Sequence, residues 1–125
     1  MPKVLLVDDD PVILKLLQVN FEMEGYTVVT ANDGVEGLEQ ARAERPDVIL
    51  LDIMMPRKDG LEVTRELKGD DDTKHMPIIL LSAKAQATDV ELGKAAGAND
   101  YITKPFDPLE LLDRVREMLD GGVDI

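Results

Sequence analysis

The sequence predicts an α/β protein in which a five-stranded parallel sheet carries helices on both faces. Short apolar runs alternate with segments of helical periodicity five times along the 125 residues, as in successive strand–helix units. The central run, residues 48–51, contains only aliphatic side chains, as expected for a strand buried on both faces. Right-handed crossovers favour the strand order 2-1-3-4-5, the doubly wound three-layer sandwich of flavodoxin-like folds.

The predicted strands are short and rich in aliphatic or β-branched residues. They cover residues 3–7, 26–31, 48–51, 78–81 and 100–103. The second strand is assigned from its alternating Val and Thr residues, whereas the first, third and fourth are assigned from their apolar runs. Asp52 stands at the carboxyl end of the third strand, and Pro56 closes that segment.

Each predicted helix follows a residue whose side chain can cap its first turn. These caps are Asp10, Asp33, Asp59, Thr88 and Asp107. The side chains expected to face the core are Ile13, Leu16, Leu17, Phe21, Val35, Leu38, Ala41, Leu61, Val63, Leu67, Leu112, Val115 and Leu119. The expected stops are Gly25, Pro46, Gly97 and Gly121–Gly122.

The chain is acidic, with a net charge of −12, and contains no Cys. The charge argues against direct binding to nucleic acid or to an anionic membrane surface. The lack of Cys excludes disulfides and thiolate zinc sites, and it fits a cytoplasmic location. The N-terminal residues do not match a signal peptide or a membrane span. The length predicts one domain over residues 1–120, with residues 121–125 as a tail or the start of a linker.

Polar side chains stand at the carboxyl ends of four predicted strands: Asp8 and Asp9, Asp52, Ser82 and Lys104. In this fold those ends share one edge of the sheet, where ligands bind. Two unit charges about 5 Å apart repel by roughly 3 kcal/mol at an effective dielectric constant near 20. The three carboxylates therefore need a cation or a raised pKa, and all-oxygen ligands favour Mg²⁺, Mn²⁺ or Ca²⁺.

Lys104 and Ser82 would add a positive charge and a hydroxyl donor, which a phosphoryl group requires. The sequence contains neither of the glycine-rich patterns that cradle a nucleotide. A carboxylate can itself be the nucleophile and become an aspartyl phosphate. The pattern therefore favours phosphoryl transfer onto an acid.

From about Lys3 to Leu119 the chain resembles the receiver domain of two-component response regulators. The matching segments are Val-Leu-Leu-Val-Asp-Asp-Asp (4–10), Asp-Val-Ile-Leu-Leu-Asp-Ile-Met-Met-Pro-Arg-Lys-Asp-Gly (47–60), Ile-Ile-Leu-Leu-Ser-Ala-Lys (78–84) and Gly-Ala-Asn-Asp-Tyr-Ile-Thr-Lys-Pro-Phe (97–106). Together, in this order and spacing, these segments are highly specific for that family.

The resemblance implies that Asp52 accepts a phosphoryl group from a phosphohistidine of a sensor histidine kinase or a phosphotransfer protein. Asp9, Asp52 and the backbone carbonyl of Met54 would bind Mg²⁺, or alternatively Mn²⁺. Asp8 would act mostly through water.

Lys104 would contact the phosphoryl group and form a cis peptide bond with Pro105. Ser82 would hydrogen-bond the phosphoryl group and draw its loop inward, and Tyr101 would then move from outside to inside. The fourth helix, fifth strand and fifth helix would carry the altered surface to an output domain or partner, as a population shift.

Met54 and Lys84 occupy the positions that influence water attack on the phosphorylated acid in this family. Because Met54 offers no hydrogen bond to orient that water, we expect self-dephosphorylation to be slower than with Asn at this position. The chain is expected to assist its own phosphorylation and dephosphorylation rather than act as a conventional turnover enzyme.

The resemblance also identifies two interaction surfaces. Kinase pairing would involve Val12, Lys15, Leu16, Gln18, Val19 and residues 105–107. A homodimer would use charged residues such as Asp100, Glu110, Arg114 and Arg116. Val90 and Leu92 stand near positions where receivers that dimerise in this way tend to carry basic residues, so the chain departs from the dimer pattern there.

Two other functions fit parts of the sequence. Residues 4–12 also fit the opening motif of haloacid-dehalogenase-type phosphatases, with Asp8 as nucleophile and Asp10 as acid/base. That reading leaves Asp52 without a role, and no acidic pair follows Lys104. A pseudo-receiver, an interaction module that is not phosphorylated, usually lacks one of the acids or the lysine, and all of them are present here.

Overall fold

A computed structural model describes residues 2–83 and 86–120, and within these residues five strands alternate with five helices. Their bounds are β1 Lys3–Val7, α1 Pro11–Met23, β2 Thr27–Ala31, α2 Gly34–Glu44, β3 Val48–Asp52, α3 Gly60–Lys68, β4 Ile78–Ser82, α4 Ala87–Ala96, β5 Asp100–Thr103 and α5 Pro108–Leu119. The alternation confirms the predicted fold class.

All neighbouring strands are parallel, and the sheet order is β2-β1-β3-β4-β5, as predicted. The register aligns the carboxyl ends closely: Val7 lies opposite Leu51, Asp52 opposite Leu81, and Ser82 opposite Thr103. The residues that follow these strands therefore share one edge of the sheet, which we call the carboxyl edge.

The sheet separates two hydrophobic cores, and β3 contributes to both of them. Leu50 packs in the core that includes Phe21 of α1 and Val115 of α5. Ile49 and Leu51 pack in the other core, with Leu67 of α3. Every residue of β3 is buried, so the strand that ends in Asp52 is a rigid support on both faces.

Four of the predicted helix caps are confirmed. Asp10, Asp33, Asp59 and Asp107 each accept a backbone N–H of the following turn, at 2.8–2.9 Å. The fourth helix differs from the prediction.

The predicted cap of the fourth helix, Thr88, is wrong, because α4 already begins at Ala87 and Thr88 lies exposed in its first turn. Gln86 is the capping residue, and its side chain makes no capping hydrogen bond. Its carbonyl accepts the N–H groups of Asp89 and Val90, so the first helical bonds form ahead of Thr88.

The predicted core face of α1 is wrong at one position. Leu16 is 47% exposed, whereas Leu14, Leu17 and Phe21 are buried. A helix turns about 100° per residue, so Leu16 lies roughly 200° from Leu14 and faces away from the sheet.

The second strand begins at Thr27 rather than at Tyr26. Tyr26 instead donates its backbone N–H to the Phe21 carbonyl, and its ring packs edge-on against Phe21 at 5.2 Å. The residue therefore closes α1 before the strand starts.

No helix of the described residues is long and apolar enough to cross a membrane. Lys84, which was named for its influence on water attack, lies outside the described residues. Residues 121–125 also lie outside them, so the helix stop at Gly121–Gly122 and the domain boundary at residue 120 remain predictions.

Candidate functional site

Three carboxylates meet at the carboxyl edge, as the strand ends predicted. One oxygen from each of Asp8, Asp9 and Asp52 lies within 4.8 Å of the other two. Asp8 is 2% exposed and Asp52 4% exposed, while Asp9 is exposed. The pocket therefore combines two buried acids with one that faces solvent.

Backbone hydrogen bonds extend the strand pairing to the residues that carry these side chains. Asp8 donates its N–H to the Ala31 carbonyl, and Ile53 donates to the Leu81 carbonyl. On the far side of the pocket, Lys104 donates its N–H to the Ser82 carbonyl at 2.7 Å. The site is thus built on ordered backbone from four neighbouring strands.

Lys104 is the residue after β5, and its side chain enters the pocket. Its Nζ lies 3.0 Å from Asp8 Oδ2 and 3.3 Å from Asp52 Oδ1. Burial alone would lower the pKa of Lys104, but the hydrogen bond to Asp8 and the charge of Asp52 together raise it. The lysine is therefore a cation at neutral pH. The peptide bond from Lys104 to Pro105 is cis.

The pKa of Asp52 is raised to about 6, first by burial and then by the charge of Asp8, with a smaller contribution from Asp9. Lys104 opposes this rise by its charge and its hydrogen bond. Among the described residues one ammonium group, that of Lys104, faces these carboxylates, and it cannot neutralise all three, so they retain excess negative charge. An all-oxygen donor set with excess negative charge fits a hard divalent cation such as Mg²⁺.

The two side chains expected to act as a switch lie on adjacent strands. Ser82 is the last residue of β4 and is 1% exposed. Tyr101 of β5 is half-buried, and its ring packs so closely on α4 that a Cβ at Gly93 would lie 3.0 Å from Tyr101 Cδ2. Met54, in the loop after β3, is 59% exposed.

Two features beside the site were not recognised in the sequence as positioning elements. A Cβ at Gly60 would lie 2.4 Å from the carbonyl oxygen of Asp52, so the start of α3 packs directly on the backbone of this residue. The signal was a glycine immediately after the capping Asp59. The second feature is Arg57, in the loop between β3 and α3. Its φ of 71° lies in the left-handed region that favours glycine.

Residues 4–116 match the family described as the response regulator receiver domain, and the chain belongs to that family. It is 45% identical over 119 residues to the DNA-binding dual master transcriptional regulator RpaA of Synechocystis, covering 95% of this chain and 49% of that protein. It is 47% identical over 117 residues to the alkaline phosphatase synthesis transcriptional regulatory protein PhoP of Bacillus subtilis, covering 94% and 48%. The chain thus spans about half the length of these curated relatives.

The fold is similar to that of the chemotaxis protein CheY4 of Vibrio cholerae, with a TM-score of 0.88 and 36% identity over 93% of this chain and 97% of that one. The phosphatase alternative is not favoured. Asp10, its required acid/base, is exposed and caps α1 through the Val12 N–H at 2.9 Å. The pseudo-receiver alternative is not favoured either, because the acids and Lys104 are assembled in one pocket.

Proposed function

We propose that this domain is a phosphorylation-controlled switch and that Asp52 is its phosphoacceptor. The supporting observation is the position of Asp52, a buried acid in the central strand with Lys104 Nζ 3.3 Å from its Oδ1. Asp8 and Asp9 follow β1 on one side of it, and on the other side Ser82 ends β4 and Lys104 follows β5. A phosphoryl group on Asp52 would therefore have acids for a metal on one side and donors on the other.

The proposed donor is a phosphohistidine of a sensor histidine kinase or a phosphotransfer protein. An oxygen of the ionised Asp52 attacks phosphorus, a P–O bond forms, and the P–N bond to the imidazole breaks. The leaving imidazole nitrogen takes up a proton. With its pKa raised to about 6, Asp52 is mostly ionised at pH 7 and so can act as the nucleophile.

In this proposal Asp9, Asp52 and the backbone carbonyl of Met54 hold Mg²⁺, for which Mn²⁺ is a suitable substitute, and Asp8 acts through water. The bound cation supplies charge neutralisation to the phosphoryl oxygens. Lys104 adds a fixed positive charge beside Asp52, and the buried Ser82 hydroxyl is a second donor on the same side of β3.

The proposed output runs from Ser82 and Tyr101 to α4, β5 and α5. The α4 helix lacks a side-chain cap at the end nearest Ser82. A cleft of about 310 Å³ lies beside Tyr101 and is lined by Val90, Lys94, Ala98, Asn99 and Asp100. A shift of Tyr101 would change the shape of this cleft, which an output domain or partner protein could then recognise.

The two surfaces implied by the family belong to the same proposal. On α1, Val12 is 74%, Leu16 47% and Val19 41% exposed, an apolar stripe that suits a helical docking partner from the kinase. On α5, Arg114 pairs with Asp100 and Glu110 within the chain, so a homodimer through these residues would exchange internal ion pairs for external ones. A cytoplasmic location follows, because sensor kinases take their phosphate from ATP there.

The test is phosphoryl uptake from acetyl phosphate with Mg²⁺, measured by intact mass. We expect the parent to gain one phosphoryl group and Asp52→Asn and Asp52→Ala to gain none. The control is Asp10→Asn, which preserves the helix cap and should behave like the parent. Uptake by Asp52→Asn equal to that of the parent, or labelling at Asp8, would overturn the proposal.

The proposed slow self-dephosphorylation has its own test. Met54→Asn should hydrolyse its acyl phosphate faster than the parent, because the amide can orient the attacking water. Decay of the phosphorylated species after donor removal gives both rates. Equal rates would show that this side chain does not control hydrolysis here.

A further inference from the structure

The loop that follows Asp52 is held against the first turn of α2, although α2 carries no residue of the proposed site. This β3–α3 loop, residues 53–59, includes the Met54 carbonyl that the proposed function assigns to the metal. Two contacts join the loop to α2, one through its backbone and one through Arg57.

The backbone contact depends on Gly34, the first residue of α2. A Cβ at Gly34 would lie 2.0 Å from the Lys58 carbonyl oxygen and 2.8 Å from Lys58 Cβ. Only glycine leaves room for the loop at this distance, so the loop lies directly on α2.

The side-chain contact is an ion pair, with Arg57 Nη1 3.2 Å from Asp33 Oδ2. The other oxygen of Asp33 accepts the Glu36 N–H at 2.8 Å and caps α2. The two roles use different oxygens and do not compete. The Asp33 side chain is only 16% exposed, so the anchor is partly shielded from solvent.

Arg57 makes this contact from a backbone conformation that normally favours glycine, with a φ of 71°. A non-glycine residue held in this region is a reason to look for a local function. Glycine would remove the strain, but it would also remove the guanidinium group that reaches Asp33.

The sheet order shows what this ion pair spans. Asp33 follows β2 and Arg57 follows β3, and these strands flank β1, whose end carries Asp8 and Asp9. The pair therefore links the two loops on either side of the acids that the proposed function assigns to metal binding.

We propose that Arg57 is a positioning residue, which through Asp33 fixes the β3–α3 loop in the geometry that binds the divalent cation. This inference rests on the proposed function for its metal readout. Its structural part, the anchoring of the loop, can be measured without metal.

The metal experiment is a double-mutant cycle with Arg57→Asn and Asp33→Asn, read as the Mg²⁺ dissociation constant. Asn tolerates a positive φ and caps helices as well as Asp, so each variant preserves its own backbone. We expect each single variant to raise the dissociation constant by about twofold, because the Arg57 side chain is 60% exposed and the pair is therefore partly screened by solvent, and we expect the double variant to match the singles.

Simple electrostatics gives a different pattern. Loss of the Arg57 charge would strengthen cation binding, loss of the Asp33 charge would weaken it, and the double variant would return to the parent value. That pattern, no change in any variant, or two effects that add in the double variant would each overturn the proposal. Lys74→Asn is the matched control, because Lys74 is also 60% exposed and ion-paired but lies at the opposite edge of the sheet.

The second readout is amide hydrogen exchange in metal-free protein. The Lys58 N–H donates to the Pro56 carbonyl at 2.8 Å, and the Gly60 N–H donates to the Ile53 carbonyl at 2.9 Å. We expect both amides to exchange at least about twice as fast in Arg57→Asn and in Asp33→Asn, but not in Lys74→Asn. Unchanged exchange would overturn the proposal. If the parent failed to bind Mg²⁺, the proposed function would fail, and this measurement would still decide the anchoring.

Discussion

Two partly buried lysines lie at opposite edges of the sheet, and their surroundings differ in kind. At the carboxyl edge, Lys104 faces two carboxylates, those of Asp8 and Asp52. At the opposite edge, Lys68 donates to two backbone carbonyls, those of Lys74 at 3.1 Å and Met76 at 2.8 Å, and to Asn99 Oδ1 at 3.0 Å.

The Lys68 site is complete. Its three N–H groups have three neutral acceptors, and Asn99 Oδ1 also accepts the Ile78 N–H at 3.0 Å. Burial lowers the pKa of Lys68, whereas the surrounding acids raise that of Lys104. The first site ties α3 to the starts of β4 and β5, while the second holds excess negative charge that the described residues do not neutralise.

Burial alone therefore does not mark a functional lysine. A saturated set of neutral acceptors is what a structural polar contact requires. A shortage of cations among buried acids is a cost to the fold, and such costs are concentrated at functional sites.

Asp52→Asn should stabilise the metal-free protein by about 3 kcal/mol at pH 8, because the rise in the Asp52 pKa from 3.8 to about 6 corresponds to that penalty for the ionised form. Urea unfolding in the presence of a chelator measures it. Asp71→Asn, at a side chain that is 93% exposed, is the control and should change stability by less than about 0.5 kcal/mol.

The pH dependence of this gain has a definite sign. An acid with a raised pKa in the folded state contributes stability below its unfolded value, 3.8, and loses it as pH rises through about 6. The difference between Asp52→Asn and the parent should therefore be near zero at pH 4 and complete above pH 7. A gain that is equal at both pH values would contradict the assignment to ionised Asp52.

Lys104→Met should slow phosphoryl uptake from acetyl phosphate by about 10- to 150-fold, because one charge-assisted contact of about 1.5–3 kcal/mol is lost. Lys68→Met should remain within about twofold of the parent. Initial rates at saturating Mg²⁺ give the comparison. Equal slowing by both substitutions would mean that Lys104 acts through the fold rather than on the reacting group.

Lys68→Met should reduce stability by about 1–2 kcal/mol, because three hydrogen bonds to neutral acceptors are lost while the loss of a desolvated charge offsets part of the cost. The methionine keeps the apolar stem that packs on Gly97, where an added Cβ would lie 2.9 Å from Lys68 Cγ. Urea unfolding of Lys74→Met, with a side chain that is 60% exposed, provides the control. If Lys68→Met and Lys74→Met were equally stable, the Lys68 hydrogen bonds would not stabilise the fold.

The two sites also differ in how far the sequence predicted them. The acids and Lys104 were predicted to meet because parallel strands bring their carboxyl ends to one edge. The structural role of Lys68 was not predicted, because two of its acceptors are backbone carbonyls, and every residue type carries a backbone carbonyl. Arg57 was missed for a related reason. A positive φ is usually indicated in a sequence by glycine, and this position holds an arginine. The start of α4 was misplaced because the Gln86 carbonyl, and not a capping side chain, begins the helix.

The smallest expected difference between the two lysines is in how salt changes the stability cost of replacing them. This measurement distinguishes contacts with charged carboxylates from hydrogen bonds to neutral acceptors. The screening length falls from about 10 Å at 0.1 M salt to about 3 Å at 1 M. Without Lys104 the three acids repel one another, and Asp9 is exposed, so salt should reduce the stability cost of Lys104→Met by up to about 1 kcal/mol. The cost of Lys68→Met should change by less than about 0.3 kcal/mol, because hydrogen bonds to neutral acceptors act only at contact. Unfolding of both variants and the parent at the two KCl concentrations measures this difference, and equal salt effects would show that Lys104, like Lys68, serves the fold through contact alone.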